Sequence, residues 1–285
     1  MDEKTSVVHS RTIPPGQSGV LLHFKREQVH WQWMSLLVRR IARGDTWRRK
    51  LDAEEAVWVL LSGRGVADWG KGPTPVGERA NVFEGPPYAL YLPPGSRASL
   101  EARTTCEVAE CRVPSTSRFE PCLITPRDTF ISLRGGGNAS RQIVDVMRPD
   151  FRADKLMVIE VYTPSGNWSR FPPHKHDVHN PPKEVDLDEI YYYRTENPAA
   201  YAFQRLYTPD QGRDETIMVR DGDAVLVREG YHPVVAAHGY NIYYLNCLAG
   251  SARALATTED PDHVWVKSTW KELDPRVPVW GSRQS

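Results

Sequence analysis

Proline and glycine recur along this chain at short intervals, and the runs between them are short and rich in valine, tyrosine and leucine. The 285 residues include 23 prolines and 20 glycines, spread out rather than clustered. Both residues favour tight turns and interrupt regular elements. Because long helical periodicity is hard to find, the pattern predicts an all-β fold, a sandwich or barrel of short strands joined by tight turns.

The stretch from about residue 114 to 150 breaks this rhythm, and we interpret it as a connector between two halves. It contains Gly135-Gly136-Gly137, and three consecutive glycines are typical of a flexible loop. A phosphate-binding loop is the alternative, but no G-K-[ST] or G-x-G-x-x-G pattern follows. The sequence therefore predicts two domains, residues 1–130 and residues 131–285.

The two halves repeat the same order of strands and glycine turns, although the repetition is weak. In this order Glu55 corresponds to Glu189, which begins a strand of the second half. The first half has no H-x-H pair, since the equivalent turn is Thr46-Trp47-Arg48-Arg49-Lys50. We therefore expect the first domain to lack metal ligands.

The charge balance and the cysteines exclude several classes of protein. Lysine plus arginine equals aspartate plus glutamate, 36 against 36, so we expect neither a nucleic acid nor a membrane partner. No apolar run is long enough for a signal peptide or a membrane span. Four cysteines without a C-x-x-C pair indicate free thiols in a reducing cytosol, and hence a cytoplasmic protein.

The second half carries a histidine pattern typical of a metal site. His174 and His176 are two residues apart, so on a strand both imidazoles share one face. Glu189 begins the next, tyrosine-rich strand, and His232 follows an apolar strand at a glycine turn. Three imidazoles and one carboxylate suit a divalent metal, zinc first and also manganese, iron or nickel. The alternative is a set of buried histidines paired with carboxylates, but packing alone would not require three of them in a half-barrel interior.

Two spacings resemble the metal-binding motifs of the cupin superfamily: Gly166-x7-His174-x-His176 with a downstream glutamate, and Gly222-x7-Gly230-x-His232. The gap from His176 to Glu189 is longer than usual in cupins, so Glu184 is a rival ligand. We prefer Glu189 because a strand would hold it rigidly. Two further departures are Arg228 in place of a proline, and one residue instead of two before His232.

Further blocks resemble the 5-deoxy-glucuronate isomerase family of myo-inositol catabolism. They lie in both halves and include Pro164–Ser169, Pro172–Asp177, Glu189–Arg194, Asp214–Thr216, Val219–Asp223, Glu229–Pro233, Tyr243–Asn246, Gly77–Arg79, Val82–Pro87 and Gly137–Arg141. The resemblance implies a bicupin, two jelly-roll barrels in one chain, with one metal in the C-terminal half. It also implies conversion of 5-deoxy-D-glucuronate to 5-dehydro-2-deoxy-D-gluconate. A related isomerase acts on 4-deoxy-5-hexosulose uronate.

Five further residues are candidates for contact with such a small sugar-acid substrate. Tyr191 and Tyr193 share the face of Glu189 and could orient the substrate or relay a proton, or they could pack in the core. Gln204 and Arg205 lie on opposite faces of their strand, so at most one faces the cavity. Arg205 and Arg220 are candidates to bind the substrate carboxylate through a bidentate contact.

Two other classes of function compete with the isomerase. A metal-dependent cupin dioxygenase can use the same four ligands, and a non-catalytic sugar-binding bicupin is the third possibility. An isomerase works without oxygen, which separates it from the dioxygenase. The resemblance to bicupins also favours a homo-oligomer.

Overall fold

The structure is a computed structural model that describes residues 6–281. These residues form 23 strands and four short 3-10 helices, so the all-β prediction is confirmed. The first eleven strands are β1 (Val7–Val8), β2 (Gly19–Phe24), β3 (Ser35–Ile41), β4 (Thr46–Lys50), β5 (Glu54–Ser62), β6 (Gly65–Asp68), β7 (Thr74–Val76), β8 (Tyr88–Leu92), β9 (Arg97–Ala102), β10 (Cys106–Pro114) and β11 (Cys122–Ile124).

The remaining strands are β12 (Phe130–Arg134), β13 (Arg141–Met147), β14 (Met157–Thr163), β15 (Trp168–Ser169), β16 (His174–Lys175), β17 (Leu187–Thr195), β18 (Tyr201–Tyr207), β19 (Asp214–Arg220), β20 (Ala224–Val227), β21 (Val234–Ala236), β22 (Ile242–Gly250) and β23 (Thr258–Glu259). The 3-10 helices are Arg26–Val29, Val82–Glu84, Pro126–Asp128 and Val264–Thr269. The described residues divide into two compact units, one of residues 9–129 and 146–157, and one of residues 6–8, 130–145 and 158–281.

The first unit has two antiparallel sheets, ordered β11-β8-β5-β10-β3-β2 and β4-β9-β6-β7. Its interior is apolar. The indoles of Trp47 and Trp58 stack with their centroids 4.2 Å apart, and the small cavity beside Trp58 is lined only by apolar and aromatic side chains. Among the described residues, this unit contains no cluster of three or more metal-ligating side chains.

Glu55 is buried at the start of β5, and its carboxylate binds backbone rather than a metal cluster. Oε1 accepts hydrogen bonds from the amides of Lys155 (2.7 Å) and Leu156 (2.9 Å). Oε2 accepts from the amide of Asp154 (2.9 Å) and from the Tyr91 hydroxyl (2.7 Å). One carboxylate therefore holds the turn before β14 onto the first unit.

The second unit has a seven-stranded sheet, β1-β20-β17-β22-β14-β13-β12, and smaller sheets β15-β21-β18-β19 and β16-β23. The central strand β17 pairs with β20 on one side and β22 on the other, so Glu189 lies opposite both Val227 and Leu248. A strand paired on both edges has little freedom to move, which fixes the position of the Glu189 carboxylate.

The predicted connector was wrong for much of its length, because β11, β12 and β13 lie inside it. The three glycines form the tight turn of the β12–β13 hairpin. A Cβ on Gly135 would lie 2.0 Å from the Ala139 carbonyl oxygen, and one on Gly136 would lie 2.5 Å from Trp270 Cβ. Glycine is required here by close packing, so the turn is ordered rather than flexible.

The cysteine prediction holds for two of the four residues. Cys106 and Cys122 are free thiols, whereas Cys111 and Cys247 are disulfide-bonded, so the expectation of four free thiols was wrong. Residues 7 and 8 form the short strand β1 and pair with β20. In the part of the chain that the structure describes, no helix has the length and apolar character needed to cross a membrane.

Candidate metal centre

Three histidines converge inside the second unit. One ring nitrogen from each of His174, His176 and His232 lies within 4.8 Å of the other two. His174 is in β16, paired with Glu259 of β23, and His176 follows directly after that strand. His232 lies two residues past the turn at Gly230, where φ is +79°. A Cβ at Gly230 would lie 2.3 Å from the Tyr207 carbonyl oxygen, so the turn requires glycine.

Backbone carbonyl groups orient two of these rings. Nδ1 of His176 lies 3.1 Å from the Leu187 oxygen, and Nδ1 of His232 lies 3.0 Å from the Gly230 oxygen. A carbonyl oxygen only accepts, so each Nδ1 carries the hydrogen. In the neutral ring, Nε2 then presents its lone pair to the cluster. This arrangement is typical of metal-ligating histidines.

The Glu189 carboxylate closes the cluster. Its Oε2 atom lies 2.8 Å from Nε2 of His176 and 3.2 Å from Nε2 of His232. The second contact is close but poorly directed, so this buried Nε2 of His232 has no hydrogen-bond partner. The Nε2 lone pairs of His176 and His232 and the negative carboxylate of Glu189 repel one another unless a positive charge lies between them. The centre therefore requires a proton or a metal ion.

The surroundings keep His174, His232 and Glu189 in the forms that bind a cation. For His176, burial acts to lower the pKa, but the hydrogen bond and charge of Glu189 outweigh it and raise the pKa. Burial, together with the charges of His232 and Arg170, holds the pKa of His174 well below its usual value. Burial also lowers the pKa of His232. Burial acts to raise the pKa of Glu189, but the Arg170 guanidinium and the histidines outweigh it and hold that pKa well below the usual range. Neutral imidazoles and an ionised carboxylate are the ligands that zinc and similar metals require.

The donor set fits a divalent metal ion of borderline softness. Three histidine nitrogens lie within 4.8 Å of one another and the Glu189 carboxylate lies beside two of them, so the unpartnered His232 nitrogen gains a partner when a cation occupies the space between them. Imidazole and carboxylate together suit zinc, iron, manganese or nickel. The residues present therefore can hold such an ion.

Arg170 is a residue of this centre that sequence reasoning missed. Its Nη2 atom donates to Asn246 Oδ1 at 2.8 Å and lies 3.4 Å from Glu189 Oε1. Its backbone has φ of +57°, which is uncommon outside glycine and turns the side chain at the end of β15. In the sequence, the signal for Arg170 was a cationic residue just before the Pro172-Pro173-His174 block. The direction of its side chain depends on the backbone turn, which the sequence does not show.

Glu184, the rival to Glu189, lies in the loop after His176. It accepts hydrogen bonds from Lys175 Nζ (2.8 Å) and from the amides of Asp177 and Val178 (both 2.9 Å). Burial acts to raise the pKa of Glu184, but these hydrogen bonds outweigh it and lower the pKa to about 2. Glu184 therefore fastens the loop that follows the H-x-H segment, and Glu189 is the glutamate that lies at the cluster.

We expect Glu184→Gln to loosen this loop. The folded pKa lies below the ordinary value of 4.5, so the carboxylate contributes its stability above that value and loses it as pH falls towards about 2. Hydrogen–deuterium exchange at the amides of Asp177 and Val178 should be slow in the wild type at pH 5 and at least about 10-fold faster in the variant. Equal protection in both proteins at pH 5 would contradict this role.

The structure brings Tyr191 and Gln204 into the interior of the second unit. The Tyr191 ring lies 5.9 Å from the His232 ring, and among the described residues its buried hydroxyl lies beside the Arg170 guanidinium without a well-directed hydrogen bond. Tyr193 is one pleat further along and donates its hydroxyl to Gln204 Oε1 at 2.8 Å. Burial raises the pKa of both tyrosines well above its usual value, so both hydroxyls stay protonated and serve as donors.

Arg205 and Arg220 are not brought to the cluster. Strand β18 alternates between exposed and buried residues, which turns Gln204 inward and Arg205 outward. The Arg205 guanidinium makes a bidentate pair with Asp214, at 2.8 and 2.7 Å, on the surface. Arg220 is exposed at the end of β19. The period of two placed Gln204 and Arg205 on opposite faces, but it could not tell which face is internal.

A cavity of about 350 Å³ opens beside His174. Small-molecule sites span roughly 300–1,000 Å³. Its lining is basic and includes Arg134, Arg141, Arg170 and Lys267. The C-terminal segment contributes Glu259, Lys267 and Trp270 to this lining.

Two β units with one histidine–glutamate centre define the class, a bicupin that can hold one metal ion. Solved structures of oxalate decarboxylases, which are cupins, share the fold. The enzyme of Lactobacillus farciminis matches with a TM-score of 0.60 at 10% identity, over 90% of this chain and 88% of that chain. A Bacillus subtilis oxalate decarboxylase mutant matches with 0.60 at 12%, over 90% and 79%. The bicupin prediction is confirmed.

The chain belongs to the KduI/IolB family, whose profile matches residues 7–266. It is 40% identical over 258 residues to the 5-deoxy-glucuronate isomerase of Geobacillus kaustophilus, covering 88% of this chain and 92% of that protein. The enzyme of the same name in Bacillus subtilis strain 168 is 36% identical over 237 residues, with 82% and 88% covered. An IolB-like protein of Salmonella typhimurium superposes with a TM-score of 0.88 at 32% identity, over 92% and 99%.

Proposed function

We propose that this chain is an aldose–ketose isomerase that converts 5-deoxy-D-glucuronate to 5-dehydro-2-deoxy-D-gluconate, the reaction of myo-inositol catabolism. Its membership of the KduI/IolB family and its relatives named 5-deoxy-glucuronate isomerase support this function. The observation that carries it is the buried cluster of three histidines and Glu189 beside a basic cavity. A sugar acid needs both features, one for its hydroxyl and carbonyl oxygens and one for its negative charge.

The reaction moves hydrogen between two neighbouring carbons. A proton leaves C2 and a proton is added to C1, while the C1 oxygen gains a proton and the C2 hydroxyl loses one. His174, His176, His232 and Glu189 would hold one divalent ion, zinc first and manganese, iron or nickel as alternatives, and when bound it supplies Lewis-acid stabilisation of negative charge on the substrate oxygens. We expect five or six ligands including water, because four protein ligands alone would close a tetrahedral site.

The protein's own groups would then orient the substrate and supply a proton. The Tyr191 hydroxyl is buried and protonated and lies beside the Arg170 guanidinium; because a guanidinium only donates, the hydroxyl hydrogen is available to donate to a substrate oxygen. Arg170 keeps Glu189 ionised and adds positive charge beside the centre. Tyr193 and Gln204 bind each other, and the Tyr193 ring stacks on Tyr191, which helps to hold Tyr191 in place.

We expect Tyr191→Phe to lower kcat by about 100-fold, the usual contribution of a positioned proton donor. The unfolding free energy should change by less than about 0.5 kcal/mol, because the hydroxyl makes no well-directed hydrogen bond within the described residues and loses only its contact with Arg170. Tyr193→Phe is the matched control. It breaks the bond to Gln204 and should destabilise the protein by about 1 kcal/mol with a smaller effect on kcat. If both variants lowered kcat equally, Tyr191 would not be the proton donor.

The proposal is tested by incubating the metal-loaded protein with 5-deoxy-D-glucuronate in heavy water and following the product by NMR. Conversion with deuterium at the carbon that was the aldehyde C1 of the substrate supports the enediol route. Conversion should continue without oxygen, which a cupin dioxygenase would not allow. If the protein converted only 4-deoxy-5-hexosulose uronate, it would be the isomerase of that acid instead. If it converted neither acid, a sugar-binding protein without catalysis would be the remaining hypothesis.

Three wider expectations belong to the same proposal. Residues 131–285 form the metal-binding domain and residues 1–130 the domain without ligands, which the apolar interior and the backbone-bound Glu55 support. The substrate is a small sugar acid, and the reaction takes place in the cytoplasm. A homo-oligomer is expected and is tested by light scattering coupled to gel filtration.

A further inference from the structure

We infer that Arg141 and Arg170 form the subsite for the carboxylate group of the substrate, with Arg141 as its principal anchor. This inference rests on the proposed function and names the group that selects acids over neutral sugars. It assigns a role to Arg141, which is not one of the residues that form the metal centre. It also replaces Arg205 and Arg220 as the candidates for that contact.

Arg141 is the first residue of β13, directly after the hairpin turn of three glycines. Among the described residues, its guanidinium makes one hydrogen bond, from Nη1 to the Ala139 carbonyl oxygen at 3.2 Å, and its buried Nε has no partner. Within residues 6–281 no carboxylate forms an ion pair with it. A guanidinium has five donor hydrogens in a planar fork, so most of this fork is available to a ligand that enters the cavity.

The surroundings of Arg141 favour an anion. Burial is the main cause that lowers the pKa of Arg141, to about 10, and the positive charges of Arg170 and its cross-strand neighbour Arg134 act in the same direction. The side chain is still charged at neutral pH. A buried charge without a counter-ion is unfavourable. A carboxylate ligand would supply the missing opposite charge and accept from the fork at the same time.

Arg170 is partly engaged by protein groups. Its Nη2 atom binds Asn246 and faces Glu189, and the Tyr191 hydroxyl lies beside the guanidinium, whereas its buried Nε has no partner. Arg170 therefore lies between the metal centre and the cavity, and it can contact both Glu189 and a bound substrate. Among the described residues, Arg141 forms no ion pair with Glu189, so it is the more specific anchor for the substrate carboxylate.

The other charges of the cavity do not compete for this role. Lys267 forms an ion pair with Glu259, so the two largely neutralise each other. Arg134 is exposed at the end of β12, where water screens its charge. The excess positive charge inside the cavity therefore resides on Arg141 and Arg170.

The position of the subsite also fits the chemistry of the substrate. The carboxylate is C6 of 5-deoxy-D-glucuronate, and the reacting atoms are C1 and C2 at the opposite end of the chain. His174 and Arg141 line the same cavity, so one molecule can place its carboxylate at the arginines and its aldehyde end at the histidines. Binding at the remote end fixes the orientation of the reacting end.

The test compares an acid with its neutral counterpart. For Arg141→Gln we expect kcat/KM for 5-deoxy-D-glucuronate to fall by about 100-fold or more, mainly through KM, since a charge-assisted hydrogen bond to a carboxylate is lost. For 5-deoxy-D-glucose, which has CH₂OH in place of the carboxylate, kcat/KM should change by less than about 3-fold. Arg141→Lys should restore part of the preference for the acid, and the exposed control Arg103→Gln should match the wild type.

A binding measurement separates this inference from the proposed function. The acid formed by reducing C1 of 5-deoxy-D-glucuronate has an alcohol in place of the aldehyde, so it cannot isomerise. By calorimetry it should bind the metal-loaded wild type at least about 30-fold more tightly than Arg141→Gln, from the same lost contact. Charge-dependent binding without turnover would overturn the isomerase and keep the subsite. Turnover of the acid with no Arg141-dependent preference, or equal losses for acid and neutral sugar, would overturn the subsite.

Discussion

Replacing His232 with alanine is expected to remove the bound metal and at least about 1,000-fold of kcat/KM. Substitutions of groups that only orient metal ligands cost 10–100-fold, and this substitution removes a direct donor from the centre. The His232 side chain is fully buried, with Nε2 aimed at the Glu189 carboxylate and no other partner. The remaining two histidines and Glu189 would hold a divalent ion weakly. Metal content by mass spectrometry and a steady-state assay measure both losses.

The matched control for this variant is His238→Ala. His238 is an exposed histidine of the same unit and does not belong to the cluster. We expect one metal per chain and wild-type activity in this control. If the protein with alanine at position 232 retained stoichiometric metal and normal turnover, the metal centre described above would not be the active site.

Replacing Glu55 with alanine is expected to destabilise the first unit by about 4 kcal/mol. The change removes the acceptor of three backbone amides and of the Tyr91 hydroxyl. A buried donor left without a partner costs about 1–3 kcal/mol, so the loss adds up over several groups even after partial relaxation. Urea denaturation followed by fluorescence should show an early transition, while metal content stays unchanged, because no contact of Glu55 involves the histidine cluster.

Two companion variants sharpen this test. Glu55→Gln keeps the size of the side chain but replaces one oxygen by an NH₂ group, which faces donors and accepts nothing. Its destabilisation should be about half that of alanine. Glu120→Ala changes an exposed glutamate of the same unit and should alter the unfolding free energy by less than about 0.5 kcal/mol. A loss below about 1 kcal/mol for Glu55→Ala would show that the turn at 154–156 holds without it.

The histidine pattern was visible in the sequence because its geometry is local. Two residues on one extended segment share a face whatever surrounds them, so His174 and His176 could be paired before any fold was known. Glu189 stood out because it begins a strand rich in tyrosine. The alternation of side chains along a strand also placed Gln204 and Arg205 on opposite faces. Which of the two points inward depends on the sheet that packs against β18, and this is not a local property.

The arginines of the cavity were missed for the same reason. Arg141 looked like the end of a glycine loop, but that loop is a hairpin turn held against Trp270, a contact between residues more than 100 positions apart. Strand β13 itself was hidden behind the glycines, although Ile143, Val144 and Val146 carry a clear strand signal. Charges acquire a role only when long-range packing decides what they face, and a single sequence does not contain that packing explicitly.

X-ray absorption spectroscopy of the bound metal tests the central claim most directly. With one metal ion per chain, the account predicts a first shell of three imidazole nitrogens and one carboxylate oxygen, completed by one or two oxygens from water. Addition of the unreactive reduced acid should replace the water oxygens and leave the imidazoles in place. A first shell with fewer than two imidazoles, or one built on sulfur, would contradict a centre formed by His174, His176, His232 and Glu189.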